Sequence, residues 1–172
     1  MARLAFAALV IALTAAPSFA EPPSGFADFK WGTSPAAIRQ QFIPSRCRSS
    51  NESRRHWLSI ECHGYRVEGL TIPVLTLDFE PADSLAGYNM VVARGSYRAL
   101  RDLMLQRFGR PTSRRLLPFG GGQMAWAWPG VTANLLERCG EDYSCVEVRT
   151  TAIDRKREEI RERERRDSIQ SF

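Results

Sequence analysis

Apolar and polar residues alternate through much of the chain from residue 57 onward, with the two-residue period of strands. The clearest case is residues 74–80. Leu75, Leu77 and Phe79 fall on one face, and Val74, Thr76, Asp78 and Glu80 on the other, as in a strand buried on one side. Residues 57–62 and 65–70 read as two further strands with a turn at His63-Gly64. After a loop at 81–87, Tyr88, Met90 and Val92 form another inward set. The last third repeats the pattern. A short strand is expected over 113–117 and a hairpin loop at Phe119-Gly120-Gly121-Gly122. Met124, Trp126 and Trp128 then share one strand face, Pro129-Gly130 makes a tight turn, and 131–137 returns as the partner. Beyond it, Val146 and Val148 point one way, Glu147 and Arg149 the other.

Two segments carry the helical period instead. Ser34 is placed to cap a helix, Pro35 suits its first position, Ile38 and Phe42 lie one turn apart, and Pro44 ends it. The second helix spans 97–108. Tyr97, Leu100, Leu103, Met104 and Phe108 form its stripe, Ser96 its cap, and Gly109 with Pro111 its stop. Residues 26–32 alternate in part and predict a short strand, whereas the Ser-, Arg- and Asn-rich stretch 45–56 predicts a loop. Residues 153–172 are densely charged. Glu159–Arg163 and Glu162–Arg166 attract at helical spacing and Glu158–Glu162 repel, with Ile153 and Ile160 as thin apolar punctuation. This predicts a solvated helix or tail, with a partner-docking helix as the sharper alternative.

The order strand, helix, several strands thus occurs twice, near 26–80 and 85–152. It predicts one α+β domain over 21–152, a predominantly antiparallel sheet with two helices on one face. Residues 1–20 have the organisation of a secretory signal. Arg3 precedes an almost unbroken apolar run over 4–16, and Ser18-Phe19-Ala20 offers small residues where a peptidase reads. The run is too short for a membrane span of about 20 apolar residues. The expected location is the bacterial periplasm or the medium, with no stable membrane span after cleavage.

Export changes the reading of composition. The chain carries +5 formal charge, and of its 24 basic residues only Lys30 and Lys156 are lysine. The charges are scattered among acids, and neither their layout nor the compartment favours a nucleic-acid partner. The four cysteines, Cys47, Cys62, Cys139 and Cys145, become candidates for two disulfides. Proximity favours Cys47–Cys62 and Cys139–Cys145. The rival is a metal site from Cys62, His63 and His56, which lacks a Cys-x₂-Cys spacing.

Candidate chemistry is sparse. The two histidines, His56 and His63, flank no Gly-x-Ser-x-Gly elbow and no His-Glu-x-x-His pair. Asp78 and Glu80 share a strand face but look solvent-facing, and Gly120–Gly122 precedes a strand rather than the helix a phosphate cradle needs. No catalytic residue, metal or cofactor is expected. Trp126 and Trp128 pack inward by default. If their face is outward, they make a recognition patch to which Arg138 and Arg149 add polar contacts.

A further pattern appears in the motifs. Phe26, Phe29, Trp31, Gly32, Thr33 and Ser34 open the chain as aromatic-x-x-aromatic-x-Trp-Gly-Thr. Phe108, Gly109, Arg110, Pro111 and Thr112 close the second helix, ahead of Trp126 and Trp128. This layout resembles small exported bacterial proteins of the β-lactamase-inhibitor-protein type and small outer-membrane assembly factors. The resemblance implies a tandem α+β fold and an envelope location. A lipid-accepting cysteine of the lipoprotein members is missing after the signal. The expectation is a non-enzymatic binding protein acting on another envelope protein. The alternatives are a periplasmic hydrolase without a visible motif, and a binder of small ligands or peptidoglycan fragments.

Overall fold

The computed structural model describes residues 21–41, 46–52, 57–79, 84–118 and 120–170. The expected signal at 1–20, the helix end at Phe42 and Pro44, His56, Glu80, Phe119 and the start of the 81–87 loop lie outside them. The fold is α+β; among the described residues it has an antiparallel eight-stranded sheet, a two-stranded ribbon and three α-helices.

The ribbon comes first. β1 (Gly25–Phe26) and β2 (Phe29–Lys30) replace the single strand expected there, because Ala27 turns the chain at a φ of 51°. Phe26 and Phe29 are thereby buried. α1 (Pro35–Gln41) follows, with Ser34 Oγ accepting from the Ala37 N–H at 3.3 Å and Ile38 fully buried.

The polar stretch read as a loop contains a strand, β3 (Cys47–Glu52). Its propensity is poor, but it lies on the sheet edge and is bonded to β4 (Trp57–Val67) through Cys47, whose Cα pairs with that of Cys62. β4 is one continuous strand, not two. Gly64, at a φ of 64°, distorts it without ending it. The reversal falls at Glu68-Gly69, where φ values of 48° and 83° make the two-residue hairpin that leads to β5 (Leu70–Phe79). β6 (Leu85–Ala93) starts within the expected loop and buries Tyr88, Met90 and Val92 as the alternation requires.

A 3-10 turn, Arg94–Ser96, leads into α2 (Tyr97–Phe108). Because of that turn, Ser96 makes no side-chain capping bond. Gly109, at a φ of 67°, stops the helix, its N–H bonded to the Leu105 carbonyl at 2.9 Å. β7 (Ser113–Leu116), β8 (Gly122–Trp128), β9 (Val131–Leu136) and β10 (Tyr143–Thr150) form a meander, and α3 (Thr151–Gln170) follows.

The sheet order β3-β4-β5-β6-β10-β9-β8-β7 has a simple reading. α1 is followed by the meander β3–β6 and α2 by the meander β7–β10, and the last strands of the two meet in the middle. Topology therefore groups β6 with the first helix, whereas the sequence order had grouped it with the second. One core lines the sheet face beneath α1 and α2, from Phe26 and Ile38 through Leu75 and Met90 to Leu135 and Val148. The start of α3 packs through Ile153 on the opposite face, where a Cβ on Gly87 would stand 2.9 Å from its Cδ1. No helix among the described residues is long and apolar enough to cross a membrane.

Candidate functional site

The tryptophan strand resolves first, and it is core. Trp126 is 2% exposed and Trp128 packs against the same cluster. Phe108 meets both indoles edge-on, with ring centroids 5.8 and 5.4 Å away. The Trp126 Nε1–H donates to the Gly109 carbonyl at 3.0 Å, and the Ala127 N–H donates to Thr112 Oγ1 at 3.1 Å. The segment 108–112 is thus the clasp between α2 and β8, which gives its aromatic-Gly-x-Pro-Thr pattern a structural cause. Trp126 and Trp128 form no surface patch, because the apolar stripe of α2 needs a partner of that size.

Arg149 is also engaged inside the molecule. It lies 2.8 Å from Glu147 Oε2, and its Nε stands 2.7 Å from Asp154 Oδ1 without an aligned hydrogen bond. These ion pairs fasten the first turn of α3 to β10. Arg149 lies near the far end of β10 and Arg138 in the loop before its start, roughly 20 Å apart at the usual strand rise, so the two do not add to one contact surface.

Arg138 belongs to the other end of the sheet. Its side chain lies across the glycine hairpin between β7 and β8. A Cβ on Gly121, whose φ is 88°, would come within 3.0 Å of the Arg138 Cγ. Glu137 grips the same hairpin by accepting from the Gly122 N–H at 2.7 Å. Between this hairpin and the β9–β10 loop lies a cavity of about 490 Å³, lined by Leu117, Pro118, Gly120, Arg138, Gly140 and Glu141. Among the described residues its lining is mixed, apolar at Leu117 and Pro118 and charged at Arg138 and Glu141.

The β9–β10 loop carries the second cysteine pair. Cys47 and Cys62 are joined, but Cys139 and Cys145 stand as thiols, Cys139 exposed and Cys145 buried. The expected bond between them is not formed, although Cys139 stands near enough to act on the Cys145 thiol. Burial pushes the Cys145 thiol well up from its ordinary range, reinforced by Cys139 and Glu147. The Cys47–Cys62 bond removes Cys62 from any metal site with His63. His63 instead pairs with Glu61 at 2.9 Å on the exposed surface, and no group of metal-ligating side chains occurs among the described residues.

Just beyond the cavity runs the sheet edge. β7 is the terminal strand and all four of its residues are exposed, Leu116 to 86%. Arg110, Arg114 and Arg115 surround it. Arg115 Nε donates to Gln123 Oε1, and no carboxylate pairs with any of the three among the described residues. Sequence reasoning missed this edge. The signal available was the short Ser-Arg-Arg-Leu strand beside a glycine loop, too polar to be read as central.

Compared with protein-family models, with characterised proteins and with solved structures, the chain has no match.

Proposed function

We infer that the chain is an exported, non-enzymatic binding protein that engages another cell-envelope protein through the β7 edge. The carrying observation is Leu116, 86% exposed beside Arg114 and Arg115 on a terminal strand. A strand edge offers unpaired backbone donors and acceptors, and an extended segment of a partner can add to it by main-chain hydrogen bonding. The arginines would repel a second copy of the same edge, which is how such strands resist self-association. They favour an extended partner segment bearing Asp or Glu. The signal-like residues 1–20 support the envelope location, as does the resemblance of the opening and clasp motifs to small exported bacterial proteins.

The test places a photo-crosslinking residue at Arg115 in intact cells and identifies what it captures. The expected result is one dominant envelope protein, lost in Leu116→Glu with Arg114→Glu. Labelling indifferent to these changes, or confined to cytosolic proteins, rejects the reading. Both side chains are exposed, so a lost crosslink does not stem from unfolding.

A further inference from the structure

We propose that Cys139 and Cys145 are a thiol–disulfide exchange site, distinct from the structural Cys47–Cys62 bond, whose closure fixes the loop forming one wall of the cavity. The inference stands apart from the β7 reading and needs no partner protein.

The geometry divides the labour between the two sulfurs. Cys139 is exposed, in the loop after β9. Its N–H donates to the Tyr143 carbonyl at 3.0 Å, so a short turn brings its side chain back over β10. Cys145 sits within the ladder, paired with Val91 of β6 and Leu136 of β9, and is buried. The neighbouring Ser144 Oγ–H donates to the Glu137 carbonyl at 2.6 Å and holds that part of the hairpin still. An incoming disulfide therefore reaches Cys139 alone, and Cys145 is held where it can resolve the product. Burial, with Cys139 and Glu147 beside it, raises the Cys145 thiol, which together with its lack of exposure disfavours its attack on external disulfides. Cys62 is 1% exposed inside the β3–β4 ladder and offers no such access.

The exchange balances with one disulfide-bearing oxidant, for which oxidised glutathione is the probe. The Cys139 thiolate attacks one glutathione sulfur. The glutathione S–S bond breaks, the first glutathione thiolate leaves and takes up the proton lost by Cys139, and a mixed disulfide forms. Cys145 then loses its proton to the second glutathione thiolate as its sulfur attacks Cys139. Two protein thiols are oxidised and one glutathione disulfide is reduced to two thiols. Gly140 and Glu141 lie within the ring so closed and line the cavity, so closing the bond restricts that wall.

The experiment equilibrates the full chain in glutathione buffers of graded redox ratio, quenches with acid, alkylates, and maps the cysteines by peptide mass spectrometry. The expected result is a Cys139–Cys145 disulfide that appears and disappears across the series while Cys47–Cys62 stays closed. Glutathione should accumulate on residue 139 in Cys145→Ser, and capture should fall at least about tenfold in Cys139→Ser. Amide exchange at 140–143 should slow in the oxidised form. The proposal is overturned if the wild-type chain never forms this disulfide, if both pairs titrate together, or if amide exchange at 140–143 is unchanged on closure. The wild-type titration decides the case even if a variant misfolds.

Discussion

Trp126 shows how one side chain can hold an α+β layer together. Its ring fills the space under Phe108 and its N–H fastens the carbonyl that ends α2. Trp126→Ala is expected to destabilise the chain by about 3–5 kcal/mol, the range for deleting a large buried aromatic. Denaturant unfolding checks this, and capture at the β7 edge under folding conditions should persist. Trp126→Phe, which keeps bulk but loses the bond to Gly109, should cost less. Tyr88 makes a different prediction. It is buried against Phe26, with ring centroids 4.7 Å apart, and burial pushes its phenol far above the ordinary range. A tyrosine ionises by losing a proton, so a raised value in the fold means that the folded state keeps the proton longer than the unfolded one. The associated stability is fully present below about pH 10 and falls as pH rises above it, by up to about 1.4 kcal/mol per pH unit for a single group. Thermal melts between pH 8 and 11 should show this loss, and Tyr88→Phe should flatten part of it. An unchanged slope in that variant would assign the alkaline loss elsewhere.

α3 divides into a packed root and a solvent-exposed shaft, and the division makes a prediction at the level of the element. Ile153 is buried on Gly87 and Asp154 pairs with Arg149, whereas residues 161–168 are exposed throughout. Removing 161–172 should leave the melting temperature within about 1–2 °C, since exposed changes of this kind lie near ±0.5 kcal/mol. Extending the deletion to 152 uncovers Ile153's seat, worth about 1.5–3 kcal/mol, and should lower it by several degrees. Both truncations are read by circular dichroism melts. The charge density of this segment was legible in the sequence, and so was its solvated character. What escaped was the role of Ile153 as an anchor on the second sheet face, because one apolar residue in a polar run has no period. The same rule explains the other elements. α2 and β5 were legible because burial on one side imposes a regular repeat. β3 was not, because its place comes from pairing and from a bond to Cys62 rather than from its own propensity. The β4–β5 turn was misplaced because Gly64 is the more visible turn residue, while Glu68 takes a positive φ that sequence does not advertise. Of the candidate site, the closeness of Arg138 to the second cysteine loop was legible from sequence spacing, but not its place over the glycine hairpin. Trp126, Trp128 and Arg149 were not separable from a surface patch until the direction of the strand faces was known.

The whole molecule is two helix-and-meander units joined edge to edge, and the join sets how it unfolds. β6 and β10 pair from Tyr143↔Ala93 to Arg149↔Gly87, in the middle of the sheet. The core crosses this seam without a break, since Met90 lies opposite Val146 and Tyr88 opposite Val148, all four buried. Exposing either unit alone would strip the apolar face from the other's central strand. The two meanders should therefore unfold in one transition despite their repeated layout. Native-state hydrogen exchange provides the test. Amides of β6 and β10 should exchange with one shared, highest opening free energy, and those of the edge strands β3 and β7 with lower values. A pair of independent units would instead give two plateaus, with β4 and β5 in one and β8 and β9 in the other. Gly87→Val sharpens the test, because its side chain would crowd Ile153 and the Val148 carbonyl at the seam. If the seam couples the units, this single change lowers the opening free energy of both meanders together, by an amount typical of overpacking, about 1–3 kcal/mol. If the units are separable, it weakens the seam strands and leaves the plateaus of the outer strands where they were.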